Sequence, residues 1–254
     1  MSKHRRYRKK SSLLANLLFL FLFVCLAGSV FFFDPAWLKL VGWNYFEQTS
    51  VSSNPVSSST SQPSDDLPAV KSSDWNLILV NRDHLTDLTP PSLAKIEDIE
   101  VDSRIEQPLK EFLAAIRAIE PEESLISGYR SREHQTELYN EAVAELEATG
   151  LSHEAAETET RKRIQLPGAS EHQTGLAVDI SVPSGQSDEL AEQLAALAPK
   201  YGFILRYPKD RSSITGVDFE NWHYRYVGVE SAQYMQAHDL VLEDYIARLQ
   251  AAGK

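Results

Sequence analysis

Residues 11–33 carry no charge, and they follow a stretch of ten residues that holds Lys3, Arg5, Arg6, Arg8, Lys9 and Lys10. No other feature constrains the chain as strongly, because it divides the chain into parts that cannot share one fold. A helix needs about 20 apolar residues to cross the hydrocarbon core of a bilayer, and 13–33 is almost wholly apolar. A cleaved signal peptide has a shorter apolar region, about 7–15 residues, and a small-x-small site. Ala27-Gly28-Ser29 matches such a site weakly, and apolar residues continue past it. Cys25 suggests a lipoprotein signal, but Val24 stands where a small residue is wanted. The reading is an uncleaved transmembrane anchor over 11–33. Its basic tail, 1–10, stays cytoplasmic by the positive-inside rule, which places the carboxyl-terminal bulk outside the cell.

The chain then changes character twice. Trp37, Trp43, Tyr45 and Phe46 suit a membrane–water interface. Residues 48–73 are Ser-rich and contain Pro55, Pro63 and Pro68, a composition that cannot bury enough surface to order itself. The stretch 34–73 therefore reads as an interfacial segment and a disordered linker. The remaining stretch, 74–254, is long enough for one globular domain with its own core. Cys25 is the only cysteine, so this outer part has no disulfide, thiolate ligand or cysteine nucleophile. Metal-binding chemistry is left to His, Asp and Glu. From residue 74 onward, 17 Lys and Arg stand against 32 Asp and Glu, which argues against nucleic acid as a partner.

Within 74–254 the pattern predicts strands at 75–80, 125–129, 176–182, 203–206 and 222–227. Leu109, Phe112, Leu113, Ile116 and Ile119 recur at helical spacing after Pro108, giving an amphipathic helix over 108–119. Ser131, Ser152 and Ser187 stand as N-caps for helices to about 149, 163 and 201, with Pro199 distorting the end of the last. A final helix is expected over 231–249. Helices and short antiparallel strands alternate without a βαβ rhythm, which indicates an α+β domain.

Two clusters carry the chemistry. Residues 167–180 hold His172 and Asp179 among small residues, and Glu220 and His223 lie further on. Two imidazoles and a carboxylate are the ligand set of a catalytic zinc, with a position left for water. A carboxylate close by but not bound to the metal is the usual general base. Either cluster alone is compatible with packed or solvated side chains; together they point to one hydrolytic site. One geometric condition applies. Side chains alternate faces along a regular strand, so Glu220 and His223 share a face only if the chain is irregular near Asn221. The other helical histidines, His134, His153 and His238, read as surface or packing residues.

The joint pattern Ser-x-His-x-x-Gly-x-Ala-x-Asp over 170–179, then Glu-x-Trp-His over 220–223, with Ser127-Gly-Tyr-Arg-Ser131 upstream, resembles the VanY-type D-alanyl-D-alanine carboxypeptidases. These are zinc peptidases of peptidoglycan. The resemblance implies a small antiparallel sheet with flanking helices and a zinc cleft. It implies Zn2+ held by His172, Asp179 and His223, with Glu220 as general base. Arg130 then contacts the substrate and stabilises charge at the reacting centre, where a guanidinium can grip a carboxylate in two hydrogen bonds. Gln135 and Ser170 match positions lining the substrate pocket, and Trp222 either walls the cleft or fills core. The implied reaction removes a terminal D-alanine from peptidoglycan stem peptides, at a D,D- or an L,D-bond. The competing reading is a zinc-dependent wall-binding scaffold that has lost catalysis.

Overall fold

The computed structural model of the chain describes residues 67–254. The anchor expected over 11–33 and most of the expected linker lie outside the described residues. Among the described residues, no helix is long and apolar enough to cross a membrane. The packed chain starts upstream of Asp74. Leu67 is buried among Leu77, Val227 and Tyr245, and Lys254 Nζ donates to the Leu67 and Pro68 carbonyls.

The architecture is α+β. A two-stranded hairpin, β1 (Leu93–Ile96) and β2 (Ile99–Asp102), precedes helix α1 (Glu106–Arg117). Strand β3 (Ser124–Ser127) comes next, then helices α2 (Arg132–Ala148) and α3 (His153–Thr160). A 3-10 turn at Glu171–Thr174 leads into β4 (Ala177–Ser181). Helix α4 (Asp188–Leu197) runs into a second 3-10 turn, Ala198–Tyr201, which contains Pro199. Strands β5 (Phe203–Tyr207) and β6 (Glu220–Tyr226) precede α5 (Val229–Ala237) and α6 (Leu242–Ala251). The main sheet is antiparallel with the order β3-β4-β6-β5.

Alternation along the strands divides this sheet into two unlike faces. Val178, Ile180, Phe203 and Tyr224 pack against Leu109, Phe112 and Ile116 of α1. The Phe112 ring lies 5.1 Å from Phe203 and 5.4 Å from Tyr224, centroid to centroid. The intervening residues Asp179, Arg206, His223 and Arg225 belong to the other face. The 3-10 turn, residues 76–80 and α6 supply partners to Arg206 and Arg225 on this face, as burial of charged groups requires.

Several expectations are met closely. The hydroxyls of Ser131, Ser152 and Ser187 each accept a backbone N–H in the first turn of their helices. Three differ. Residues 75–80 are not a strand: the Asn76 and Ile78 carbonyls accept from the Arg225 guanidinium instead of from a neighbouring strand. The β1–β2 hairpin was not signalled by the pattern. The single helix expected over 231–249 is two, broken where Asp239 takes a left-handed φ of 51°.

Candidate metal centre

The site forms where three segments meet on the polar face of the sheet. Asp179 of β4 lies directly opposite His223 of β6, so their side chains leave the same face as cross-strand neighbours. His223 Nδ1 is 3.0 Å from Asp179 Oδ1. His172, in the 3-10 turn, brings its Nε2 to 3.4 Å from Asp179 Oδ2, and the two imidazole rings meet edge to face. One atom from each of His172, Asp179 and His223 lies within 4.8 Å of the others. Among the described residues this is the group whose spacing could hold a metal ion.

Local structure explains how a short loop holds His172 so firmly. Its Nδ1 lies 2.8 Å from the Gly128 carbonyl, which puts the ring proton on Nδ1 and leaves Nε2 as the free donor atom. The Gly128 backbone packs so closely that an added Cβ would meet the Glu100 carbonyl at 2.3 Å. Gly175 closes the turn at a φ of 69°, and a Cβ there would lie 2.8 Å from the Asp102 amide. These two contacts account for two of the glycines in the motifs. The Gln173 side-chain oxygen Oε1 accepts from Gly168 N at 2.6 Å, and Arg130 N donates to the His172 backbone carbonyl at 3.1 Å.

Glu220 joins the site through a bulge. Leu205 pairs with Tyr224, yet Tyr207 pairs with Glu220, so β6 uses four steps where β5 uses two. The extra residues let Glu220 turn to the same face as His223, with Oε2 3.7 Å from His223 Nδ1. The irregularity required near Asn221 is present.

The electrostatics are those of a buried, acidic cluster. Burial pushes the Glu220 carboxyl up to about 8, although His223 opposes the shift. Burial opposes charge on His223, but the neighbouring carboxylates, Asp179 and Glu171 first, outweigh it and raise the imidazole to about 9. Burial likewise opposes charge on Asp179, and the two imidazoles outweigh it and hold the carboxyl well below its usual range. For His172 burial dominates and lowers the imidazole. Without a metal, then, this face concentrates carboxylates around His223, and a divalent cation suits such a donor set.

The remaining predicted residues fall into two groups. Arg130 faces the site: burial lowers its guanidinium, while the charges of Asp179 and Glu220 oppose that shift. Its Nη1 donates to Gln135 Oε1 at 2.9 Å and its Nη2 to Ser127 Oγ at 3.2 Å. Gln135 is buried, and its amide nitrogen is held at 2.6 Å by the Gln165 carbonyl, so Gln135 orients Arg130. Ser170 is buried at the start of the 3-10 turn, and Trp222 lies half-buried in the bulge beside His223. His134, His153 and His238 are exposed; His153 pairs with Glu147 at 2.9 Å.

Two features are not signalled by the motifs: Ser127 as a partner of Arg130, and a buried ionic cluster behind His223. Glu171 Oε1 accepts from Arg206 Nε and Arg225 Nη1, both at 2.8 Å. Arg206 also donates twice to Glu243. The available signal was Arg206 and Arg225 at strand positions that alternate with core residues.

Comparison with known proteins agrees with this geometry. The profile of the VanY family, described as D-alanyl-D-alanine carboxypeptidase, matches residues 98–229. A D-alanyl-D-alanine carboxypeptidase of Enterococcus faecalis is 40% identical over 179 residues, which is 68% of this chain and 66% of that protein. The crystal structure of a variant of the vancomycin resistance D,D-pentapeptidase VanY in complex with Zn(II) superimposes with a TM-score of 0.64 at 38% identity, covering 68% of this chain and 99% of that one. The LD-carboxypeptidase LdcB superimposes with a TM-score of 0.53 at 32% identity, covering 68% of this chain and 86% of that one. The fold, the convergence of His172, Asp179 and His223, and a family match spanning all three motifs lead to one conclusion: the chain belongs to the VanY family of D-alanyl-D-alanine carboxypeptidases and is an enzyme of that class.

Proposed function

We propose that this chain is a zinc-dependent carboxypeptidase that removes the terminal D-alanine from peptidoglycan stem peptides, with zinc held by His172, Asp179 and His223. The observation that carries the reading is the convergence of those three donor atoms within 4.8 Å, with Glu220 beside them and free of the ligand set. Bound zinc would supply Lewis acidity toward the scissile carbonyl and lower the pKa of a water. Glu220, in its deprotonated form, takes a proton from the attacking water. The water oxygen adds to the carbonyl carbon, the C–N bond breaks, and Glu220 returns the proton to the departing D-alanine amine. Arg130, braced by Ser127 and Gln135, presents its guanidinium to the substrate carboxylate or to the oxyanion.

Similarity is higher to the D,D-pentapeptidase than to the LD-carboxypeptidase, which supports the D,D-bond as the first target to test. The uncharged run 11–33 behind a basic tail supports a membrane-anchored enzyme facing the wall. Metal analysis of the purified protein, with released alanine measured on penta- and tetrapeptide muropeptides side by side, tests the proposal. One zinc per chain and release of alanine from either substrate is the expected result. Zinc binding without release from either would favour the wall-binding scaffold.

A further inference from the structure

We propose that Glu171 is a positioning residue for the imidazole it does not adjoin in sequence: its free carboxylate oxygen accepts the Nε2 proton of His223 and so fixes the tautomer in which Nδ1 faces the metal. This rests on the zinc reading given above. Two orphaned atoms motivate it. His223 Nε2 and Glu171 Oε2 are both buried without a hydrogen-bond partner, and they face each other at 3.6 Å. A neutral imidazole has one N–H to place. If the proton sat on Nδ1, the nitrogen beside Asp179 and Glu220 could not bind a metal. Asp179 Oδ1, 3.0 Å from Nδ1, competes for that proton; once a cation takes Nδ1, the anionic acceptor facing Nε2 holds the proton on the other side of the ring.

The supporting structure behind Glu171 keeps that acceptor fixed. The Glu171 side chain is wholly buried, and its Oε1 is occupied by Arg206 and Arg225, whose own side chains are wholly buried. Arg206 is further held by Glu243, and Arg225 by the Asn76 and Ile78 carbonyls. Both oxygens of Glu171 therefore have assigned directions, one to the arginines and one to His223. In Glu171→Gln the two guanidiniums claim the amide oxygen, which turns the NH2 toward His223 Nε2. A donor there favours the proton on Nδ1, the tautomer that cannot bind.

The test uses the full chain in three forms: wild type, Glu171→Gln and Glu243→Gln. Zinc affinity is measured by competition with a chromophoric chelator, and the histidine tautomers by long-range 1H–15N correlation of the imidazoles. Loss of an outer-shell partner to a metal ligand costs about 10–100-fold in affinity, so Glu171→Gln should weaken zinc by that factor. Glu243→Gln, which disturbs the same arginine but leaves Glu171 anionic and Arg225 on its Oε1, should weaken zinc far less than Glu171→Gln does. Zinc-loaded wild type should show His223 with a protonated Nε2 in slow exchange. Unchanged affinity in Glu171→Gln, or an equal loss in Glu243→Gln, would overturn the inference alone. If Glu171→Gln does not fold, the wild-type spectrum decides: a His223 Nε2 that is unprotonated, or whose proton exchanges freely, overturns it. A wild type that binds no zinc overturns the proposed function and this inference with it.

Discussion

At the scale of single residues, the site sorts its carboxylates by environment. Asp179 and Glu171 are stabilised as anions by imidazoles or guanidiniums, whereas Glu220 lies in a desolvated position that favours its neutral form. That contrast suits the proposed roles of Asp179 as ligand and Glu220 as base. Glu220→Ala should leave zinc content unchanged and lower turnover by about 10²–10⁴-fold, the usual contribution of a general base; metal analysis beside the alanine-release assay checks both halves. A second buried carboxyl gives a pH effect on stability. Glu123 has neither oxygen paired, and burial, reinforced by Glu120, pushes it up to about 7. A carboxyl raised in the folded state favours folding fully below its unfolded pKa, and that contribution is lost as pH rises toward 7. Glu123→Gln should therefore melt higher than wild type at pH 8, with the difference closing below pH 5, as read from thermal unfolding at several pH values.

At the scale of elements, the sheet sets the geometry and the helices hold the accessory groups. The Ser131 cap starts α2, and α2 carries Gln135, which in turn holds Arg130. Ser131→Ala should cost about 1 kcal/mol. That corresponds to about 2–4 °C in melting temperature for a domain of this size, measurable by calorimetry. Gly175 closes the turn before β4 in a left-handed conformation against Asp102. Gly175→Ala should destabilise by about 1–3 kcal/mol and weaken zinc binding, because the turn that carries His172 must shift; denaturant titration and chelator competition read the two effects. The Ser caps, Pro199 and the helical spacing of α1 could be read directly, since each acts within a turn or two of chain. The bulge at Asn221 was legible only as a requirement, because it depends on how β6 pairs with β5.

At the scale of the whole molecule, the amino-terminal part of the domain is a working part of the core. Leu67 is buried, and Lys254 at the other end of the chain donates to its carbonyl. A chain starting at Asp74 should melt lower than one starting at Ser61, because burying a leucine side chain contributes about 1.5–3 kcal/mol; paired thermal melts of the two check this. What the sequence determined by itself was whatever is written locally or in a compact pattern. That includes the α+β class, the helix caps, the paired motifs that point to His172, Asp179, Glu220 and His223, and the absence of cysteine chemistry from 74 onward. Tertiary structure alone decided which carbonyls receive Arg225, why residues 75–80 form no strand, and how Glu171 comes to lie behind His223. The physical reason is distance along the chain. Burial forces each polar group on the covered face of the sheet to find a partner, and those partners lie up to 149 residues away, beyond the reach of any local signal.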